Sequence, residues 1–193
     1  MTHIIDRRLL LQGAAGIILT ATGAKAMNDT SYSTARKPGK ITGNGVGDFD
    51  FLAGEWKIRH RRLKDGTNDI WEESVSGATV HRVLDGMGSI EELRKPDGSF
   101  LGMGVRVWLP QEKKWADHWT SAANGVVNPP QKGEFIDGEG VFISDEEVDG
   151  IKWLYRGVWD KITPTSCRWH QSSSKDGGKT WEWNWWIDWT RVS

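Results

Sequence analysis

A row of tryptophans near the end of the chain constrains the fold more than any other feature of the sequence. In the segment 174–191, large apolar side chains occupy every second position: Trp181, Trp183, Trp185, Ile187 and Trp189. A period of two is typical of a β-strand with one apolar and one polar face. Five large side chains in one row need a cover, and the domain shows no obvious helix. We therefore predict that this strand is one wall of a β-barrel with an aromatic interior.

The residues that precede this strand match the pattern S-x-D-x-G-x-T-W, which runs from Ser174 to Trp181. The pattern resembles the Asp-box of sialidases and other β-proteins. In such a turn, Asp176 accepts hydrogen bonds from backbone N–H groups, and Gly177 and Gly178 allow positive φ. The motif therefore predicts a hairpin between the preceding strand and the tryptophan-rich strand, and it carries no catalytic expectation.

Short strand candidates separated by turn signals make up the rest of the domain. They are 55–63, 70–76, 78–84, 89–95, 100–109, 115–121, 134–144, 151–161, 166–173 and 181–190. Most connections contain an Asp-Gly or Asn-Gly pair, which is typical of β-hairpins. We predict an all-β fold, an antiparallel up-and-down β-barrel of about eight to ten strands. Residues 49–52 are expected to form a brief helical turn that plugs one end, and 122–132 a loop at one rim.

The first 26 residues have the pattern of an export signal. Arg7-Arg8 is followed by three leucines, a mild apolar run covers 13–21, and Ala24-Lys25-Ala26 is a cleavage site of the A-x-A type. The paired arginines resemble a twin-arginine signal, and the apolar run is too short to span a bilayer. An ordinary secretory signal or an uncleaved anchor is the alternative. We predict a periplasmic or secreted protein that is not inserted in a membrane after cleavage.

The domain organisation and composition narrow the function. We predict a signal at 1–26, a flexible leader at 27–47 and a single barrel domain at 48–193. The formal net charge of −1 becomes −3 when the signal is removed, so we expect no nucleic-acid partner. Cys167 is the single cysteine, which excludes an intrachain disulfide. The five histidines are dispersed and form no H-x-H or H-E-x-x-H motif, so no metal site is predicted.

The start of the first strand resembles a known signature. Gly54-Glu55-Trp56 looks like the G-x-W of lipocalins and their calycin relatives. In that superfamily the tryptophan closes one end of the barrel and packs against an arginine from late in the chain. The resemblance implies that Arg191 or Arg156 takes that place.

A wider resemblance covers most of residues 48–191. It is to an exported bacterial family of unknown function in the same superfamily, with a nitrobindin-like barrel. The residues that carry it are the segment Phe49 to Trp56, Trp115 with Trp119, Arg156 with Trp159, and Ser174 to Trp185. A count of ten strands fits nitrobindin-like barrels better than eight-stranded lipocalins. The resemblance implies a fold and no activity, since calycin relatives include ligand carriers, haem proteins and a few enzymes.

Alternation along the strands nominates residues for the barrel lumen. If Trp56 points inward, His60 does too, and an interior histidine can act as a general acid or base. A histidine hydrogen-bonded to the neighbouring wall is the alternative. If Trp119 points inward, so does Asp117, and His118 then faces solvent. For the pairs His170 and Trp169, and Glu91 and Glu92, either member can be the inward one.

These observations lead to two functional hypotheses. The first is a barrel that binds an apolar or aromatic small molecule in a tryptophan-lined cavity. Its predicted ligand-binding residues are Trp56, Asp117, Trp119, Trp181, Trp183, Trp185 and Trp189. The alternative is an isomerase, lyase or cyclase that acts by proton transfer, with His60 as acid or base, Glu92 as its partner and Arg156 stabilising an anion.

No cofactor is predicted. Haem is the alternative, because nitrobindin-like barrels hold it through one histidine. The candidate ligands are His60, His118 and His170.

The export signal gives a direct test. Protein recovered from the periplasm is expected to begin at Met27 or within a few residues of it, which N-terminal sequencing measures. Replacement of Arg7-Arg8 by Lys-Lys is expected to block export, because the twin-arginine route reads that pair. Normal export of this variant contradicts the twin-arginine assignment and indicates the general secretory route.

Overall fold

The structure, a computed structural model, describes residues 41–65 and 67–192. Within these residues there are ten strands: β1 (Gly54–Leu63), β2 (Trp71–Val83), β3 (Gly88–Arg94), β4 (Phe100–Leu109), β5 (Lys114–Ser121), β6 (Gln131–Ile136), β7 (Glu139–Val148), β8 (Ile151–Asp160), β9 (Ser166–Ser174) and β10 (Glu182–Arg191). Each strand pairs antiparallel with its neighbours along the chain, and β1 also pairs with β10. The sheet is a closed up-and-down barrel, so the predicted fold class is confirmed.

Two regions differ from the predicted strands: two candidates form a single strand, and one candidate forms two strands. The total number of strands is therefore ten, as in the prediction. The candidates 70–76 and 78–84 are one strand, β2, because Gly77 continues the ladder opposite Lys57 and Arg94. The candidate 134–144 is two strands, β6 and β7. They are joined at Asp137 and Gly138, whose φ values of 51° and 85° suit a two-residue hairpin turn.

The chain before β1 contributes to the domain. The predicted export signal, 1–26, and the first part of the predicted leader, 27–40, lie outside the described residues. Residues 41–47 form a loop around the buried Asp48, whose carboxylate accepts hydrogen bonds from the N–H groups of Thr42 (2.8 Å) and Gly45 (2.9 Å). The last residues of the predicted leader, 41–47, are thus hydrogen-bonded to the first residue of the predicted barrel domain. No helix in the described part of the chain is long and apolar enough to cross a membrane.

An aromatic cluster fills one end of the barrel. The helical turn Asp50–Leu52 lies across this end, as predicted, with Phe51 and Leu52 buried. Phe49 lies in the middle of the cluster, with its ring centroid 4.9 Å from that of Trp115 and 4.9 Å from that of Phe135. The core around it includes Trp56, Ile58, Val80, Phe142, Trp159, Ile187 and Trp189. Burial of this apolar surface is the main source of stability in the fold.

Arg191 closes the same end of the barrel. Its guanidinium donates hydrogen bonds to the carbonyl oxygens of Phe51 and Ala53, both at 2.6 Å, and Nε donates to that of Pro164 at 2.7 Å. The guanidinium also lies 4.2 Å from the ring centroid of Trp56. Of the two arginines that the G-x-W resemblance allowed, Arg191 is thus the partner of Trp56.

Gly54 makes room for this contact. Its φ is +125°, and a Cβ atom there would lie 2.7 Å from Nη1 of Arg191. Both the backbone conformation and the space require glycine. The first residue of the signature is therefore explained by the arrival of Arg191 from the other end of the chain.

The contacts of Arg191 predict its effect on stability. Arg191→Ala is expected to lower the free energy of unfolding by about 2–4 kcal/mol, because it removes charge-assisted hydrogen bonds to three carbonyls and the cation–π contact. Urea denaturation followed by tryptophan fluorescence measures this. Arg59→Ala is the matched control on the exposed face of β1, and we expect a change within about 0.5 kcal/mol. Equal effects of the two substitutions would contradict the assigned role.

Candidate functional site

A β-bulge in β10 divides the tryptophan row. The register between β9 and β10 shifts between Trp183 and Trp185. Trp185 and Trp189 therefore share the inner face with Ile187, whereas Trp183 lies opposite Ser172 on the outside. Trp181 precedes the strand and packs beneath Arg156. The prediction that Trp181 and Trp183 line the lumen is wrong, because one extra residue reverses the alternation.

The outward tryptophans belong to an external cluster, which we call the outer stack. Its members are Arg156, Arg168, His170, Trp181, Trp183 and Trp186. The ring centroid of His170 lies 4.5 Å from that of Trp183 and 4.6 Å from that of Trp186. Nε2 of His170 lies 3.3 Å from Oδ2 of Asp160, and burial lowers the pKa of this histidine. Of the pair His170 and Trp169, Trp169 is therefore the inward residue.

The tryptophans on the inner face are less buried with increasing distance from the plugged end of the barrel. Trp56 and Trp189 are almost fully buried and belong to the floor of the barrel. Trp119, Trp169 and Trp185 also face inward but are only half-buried. The centroids of Trp169 and Trp185 are 5.6 Å apart in an edge-to-face arrangement. We call Trp119, Trp169 and Trp185 the lumen tryptophans.

Two neighbours shape the surface of the lumen tryptophans. The indole of Trp119 lies directly over Gly102, where a Cβ atom would be 2.5 Å from Cζ2. Arg62, at the far end of β1, lies with its guanidinium 5.1 Å from the ring centroid of Trp185. The open half of the barrel is thus lined by aromatic surface, with the guanidinium of Arg62 beside Trp185.

His60 faces the lumen, as predicted, and is 6% exposed. Its Nε2 forms a 2.7 Å hydrogen bond with Oγ of Ser76, and its ring centroid lies 6.0 Å from that of Trp185. Burial lowers the pKa of His60 to about 4, so the imidazole is neutral near pH 7. Among the described residues, no carboxylate lies within hydrogen-bond or ion-pair distance of it.

Glu91 is the inward member of the adjacent glutamates. It lies opposite the core residue Val80 and is 3% exposed. Glu92 lies on the outer face, pairs with Arg94 and lines a shallow rim cleft with Phe100. The expectation that Glu92 partners His60 is therefore wrong, because strand register gives the inner position to its neighbour.

A buried charge cluster, which we call the triad, joins three inward residues: Glu91, Arg106 and Asp117. Nη2 of Arg106 donates a 2.6 Å hydrogen bond to Oε2 of Glu91, and its Nε lies 3.3 Å from Oδ1 of Asp117. Burial raises the pKa of both carboxyl groups, and the nearby guanidinium partly opposes this. Asp117 is among the residues predicted for the lumen, whereas Arg106 is not, although it alternates with Gly104 and Trp108 on β4.

The nominated catalytic residues do not converge. His60 lies inside the barrel, whereas Glu92 and Arg156 lie outside it. Nε of Arg156 donates to Oγ of Ser172 at 3.2 Å within the outer stack. The three residues therefore cannot act on one substrate in the lumen.

The three histidines nominated as haem ligands lie in different parts of the structure. His118 faces outward and contacts the carbonyl oxygen of Asn128 at 3.1 Å, and His170 is in the outer stack. In the lumen, Nε2 of His60 is already engaged by Ser76. Over residues 41–65 and 67–192, no group of three or more His, Cys, Asp or Glu residues could hold a metal ion.

The burial of His60 predicts a pH dependence of stability. In the unfolded chain a histidine titrates near pH 6.5, whereas in the folded barrel the pKa of His60 is about 4. Between these values the unfolded state binds more protons. The contribution of His60 is therefore complete above pH 6.5 and is lost as the pH falls toward 4, at up to about 1.4 kcal/mol per pH unit.

Urea unfolding between pH 7 and pH 4 measures this contribution. His60→Gln is expected to lose less stability over that range than the wild-type chain. His81→Gln, on the exposed outer face of β2, is the control and should behave like the wild type. An unchanged slope in His60→Gln would contradict the burial of a neutral imidazole.

Comparison with known proteins supports the fold. No model of a known protein family matches the chain, and no curated protein matches it. Among solved structures, the chain is similar to the S-type phycobiliprotein lyase CPES from Guillardia theta, with a TM-score of 0.50 and 14% sequence identity. The similarity covers 75% of this chain and 90% of that chain. At this identity it shows the fold alone, a closed antiparallel barrel.

Proposed function

We propose that this protein binds an apolar or aromatic small molecule in the open half of its barrel, in the periplasm or outside the cell. The observation that carries the proposal is the burial of the lumen tryptophans. They face inward, yet they stay half-buried, whereas the inward aromatics of the plugged end are fully buried. Exposed aromatic surface inside a closed barrel is the usual lining of a small-molecule site.

The polar groups beside these tryptophans suit an uncharged ligand. His60 is neutral near pH 7, because burial lowers its pKa to about 4. Asp117 is partly exposed, with 14% of its side chain accessible, and is paired with Arg106. A pocket with much aromatic surface and few polar groups binds mainly through apolar burial, and its polar groups fix the orientation of the ligand.

The similarity to a phycobiliprotein lyase supports a ligand-binding barrel and leaves lyase-like chemistry as the alternative. Two of the three residues nominated for catalysis, Glu92 and Arg156, lie outside the lumen. Ligand binding needs only the aromatic lining of the lumen, whereas catalysis also needs these side chains inside it. The proposed location depends on the export signal at 1–26 and on the test given above for it.

Matched tryptophan variants test the proposal. The uncharged dye N-phenyl-1-naphthylamine is expected to bind saturably, with a rise in its emission. Trp185→Ala should weaken binding at least about tenfold, because it removes aromatic contact surface worth about 1.4 kcal/mol. Trp183→Ala, two positions away but on the outer face, should change the dissociation constant less than about twofold, since an outward side chain cannot contact the dye.

Two outcomes would contradict the proposal. One is the absence of saturable binding for this dye and for the naphthalene probes described below. The other is an equal loss of affinity in the two tryptophan variants, with both folded by circular dichroism.

A further inference from the structure

The triad leaves a hydrogen-bond donor without an acceptor. Arg106 is 5% exposed, and Nη2 is its only guanidinium atom with a hydrogen bond to another described residue. Nε lies 3.3 Å from Oδ1 of Asp117 without hydrogen-bond geometry, and Nη1 has no partner in the described part of the chain. Buried donors in proteins are almost always satisfied by protein, water or ligand. The missing component is an acceptor.

A second unpartnered donor lies near Arg106. Nε1 of Trp115 is buried and has no acceptor among the described residues, whereas the indole of Trp159 faces Asp117 and opposes the rise in the pKa of that carboxyl. Arg106 lies 5.3 Å from the ring centroid of Trp159, and both this ring and Trp115 pack around Phe49. An indole nitrogen can only donate. Two buried donors in this part of the interior, Nη1 of Arg106 and Nε1 of Trp115, are thus without an acceptor.

The charge of the triad selects the kind of acceptor. Two ionised carboxyl groups and one guanidinium carry a formal charge of −1, and burial raises the pKa of both carboxyl groups. A site that already disfavours its own negative charges also disfavours an anionic ligand. A neutral carbonyl oxygen accepts a hydrogen bond from Nη1 without adding charge.

Small residues connect the triad to the lumen. Gly104 lies opposite Trp119 and between Arg106 and Gly102 on the inner face of β4. A Cβ atom at Gly104 would lie 3.2 Å from Nη2 of Arg106. Of the triad, Asp117 is the most exposed, and Trp119 follows it on the same face of β5. The indole of Trp119 fills the space over Gly102, and Arg106 and Glu91 fill the space over Gly104, so the triad lies directly beside the lumen tryptophan Trp119.

We propose that the triad is the polar end of the ligand site and that Nη1 of Arg106 donates a hydrogen bond to a carbonyl oxygen of the ligand. The ligand class is an aromatic or apolar ketone, ester or amide. Glu91 and Asp117 act as positioning residues, because they hold the guanidinium while Nη1 stays free. This inference rests on the proposed function and specifies the substrate class of that same site.

A matched pair of probes tests the inference on the full chain. 2-Acetylnaphthalene and 2-ethylnaphthalene have nearly the same shape, and only the first carries a carbonyl. The ketone is expected to bind at least about tenfold more tightly, measured by quenching of tryptophan fluorescence, since a site with a free donor discriminates against a ligand without an acceptor. 2-Naphthoate, the anionic counterpart, is expected to bind more weakly than the ketone.

Two further measurements assign the donor. Arg106→Met keeps an unbranched side chain but has no N–H donor, and the preference for the ketone should disappear while 2-ethylnaphthalene still binds. The control is Arg59→Met on the outer face of β1, which should keep the preference. If Arg106→Met does not fold, the wild-type chain is still decisive. The infrared carbonyl band of bound 13C-labelled ketone should lie at lower wavenumber than in hexane, as a hydrogen bond to guanidinium requires.

The outcomes separate the two proposals. Equal affinity for ketone and hydrocarbon, or a hexane-like carbonyl band, overturns the carbonyl site and leaves the binding barrel in place. That result would mean that water satisfies Arg106. Equal or tighter binding of 2-naphthoate overturns the preference for a neutral acceptor. If none of the three probes and no N-phenyl-1-naphthylamine binds, both proposals fail.

Discussion

The aromatic packing around Phe49 is the interaction on which the rest of this barrel depends. Phe49 comes from outside the sheet, yet its ring packs against Trp115 on β5, Phe135 on β6 and Trp159 on β8. One buried residue therefore joins several strands and helps specify which face of each strand is the inside. Because side chains alternate along every strand, this choice at the plugged end fixes the orientation of residues as far away as His60.

Arg191 secures this end by chemistry that apolar packing cannot supply. The carbonyl oxygens of Phe51 and Ala53 lie at the plug, and the guanidinium of Arg191 donates a hydrogen bond to each of them. Its hydrogen bonds join the last strand to the segment before the first. Barrel closure is thus supported by the β1–β10 ladder and by one arginine.

The two polar clusters inside the barrel differ in charge and in whether their hydrogen-bonding groups are partnered. The neutral pair of His60 and Ser76 satisfies itself, and burial keeps the imidazole uncharged. The triad carries formal charges in nearly the same degree of burial and keeps part of Arg106 unpartnered. Groups that satisfy one another contribute to the fold, whereas an unsatisfied buried donor is costly and indicates a missing partner. The pair of His60 and Ser76 and the triad therefore differ in whether their buried polar atoms are partnered.

The sequence by itself determined the all-β class, most strand positions and the plug at 49–52, because alternation and Asp-Gly turns are local properties of the chain. It placed His60 on the same face as Trp56, and Asp117 on the same face as Trp119, but left open which face is the inner one. Only the tertiary structure decided that Trp183 faces outward, that Glu91 rather than Glu92 is buried, and that Arg191 contacts Trp56. A bulge adds one residue to one strand and reverses every face beyond it. Register and bulges are set by pairing between strands, which no single stretch of sequence contains.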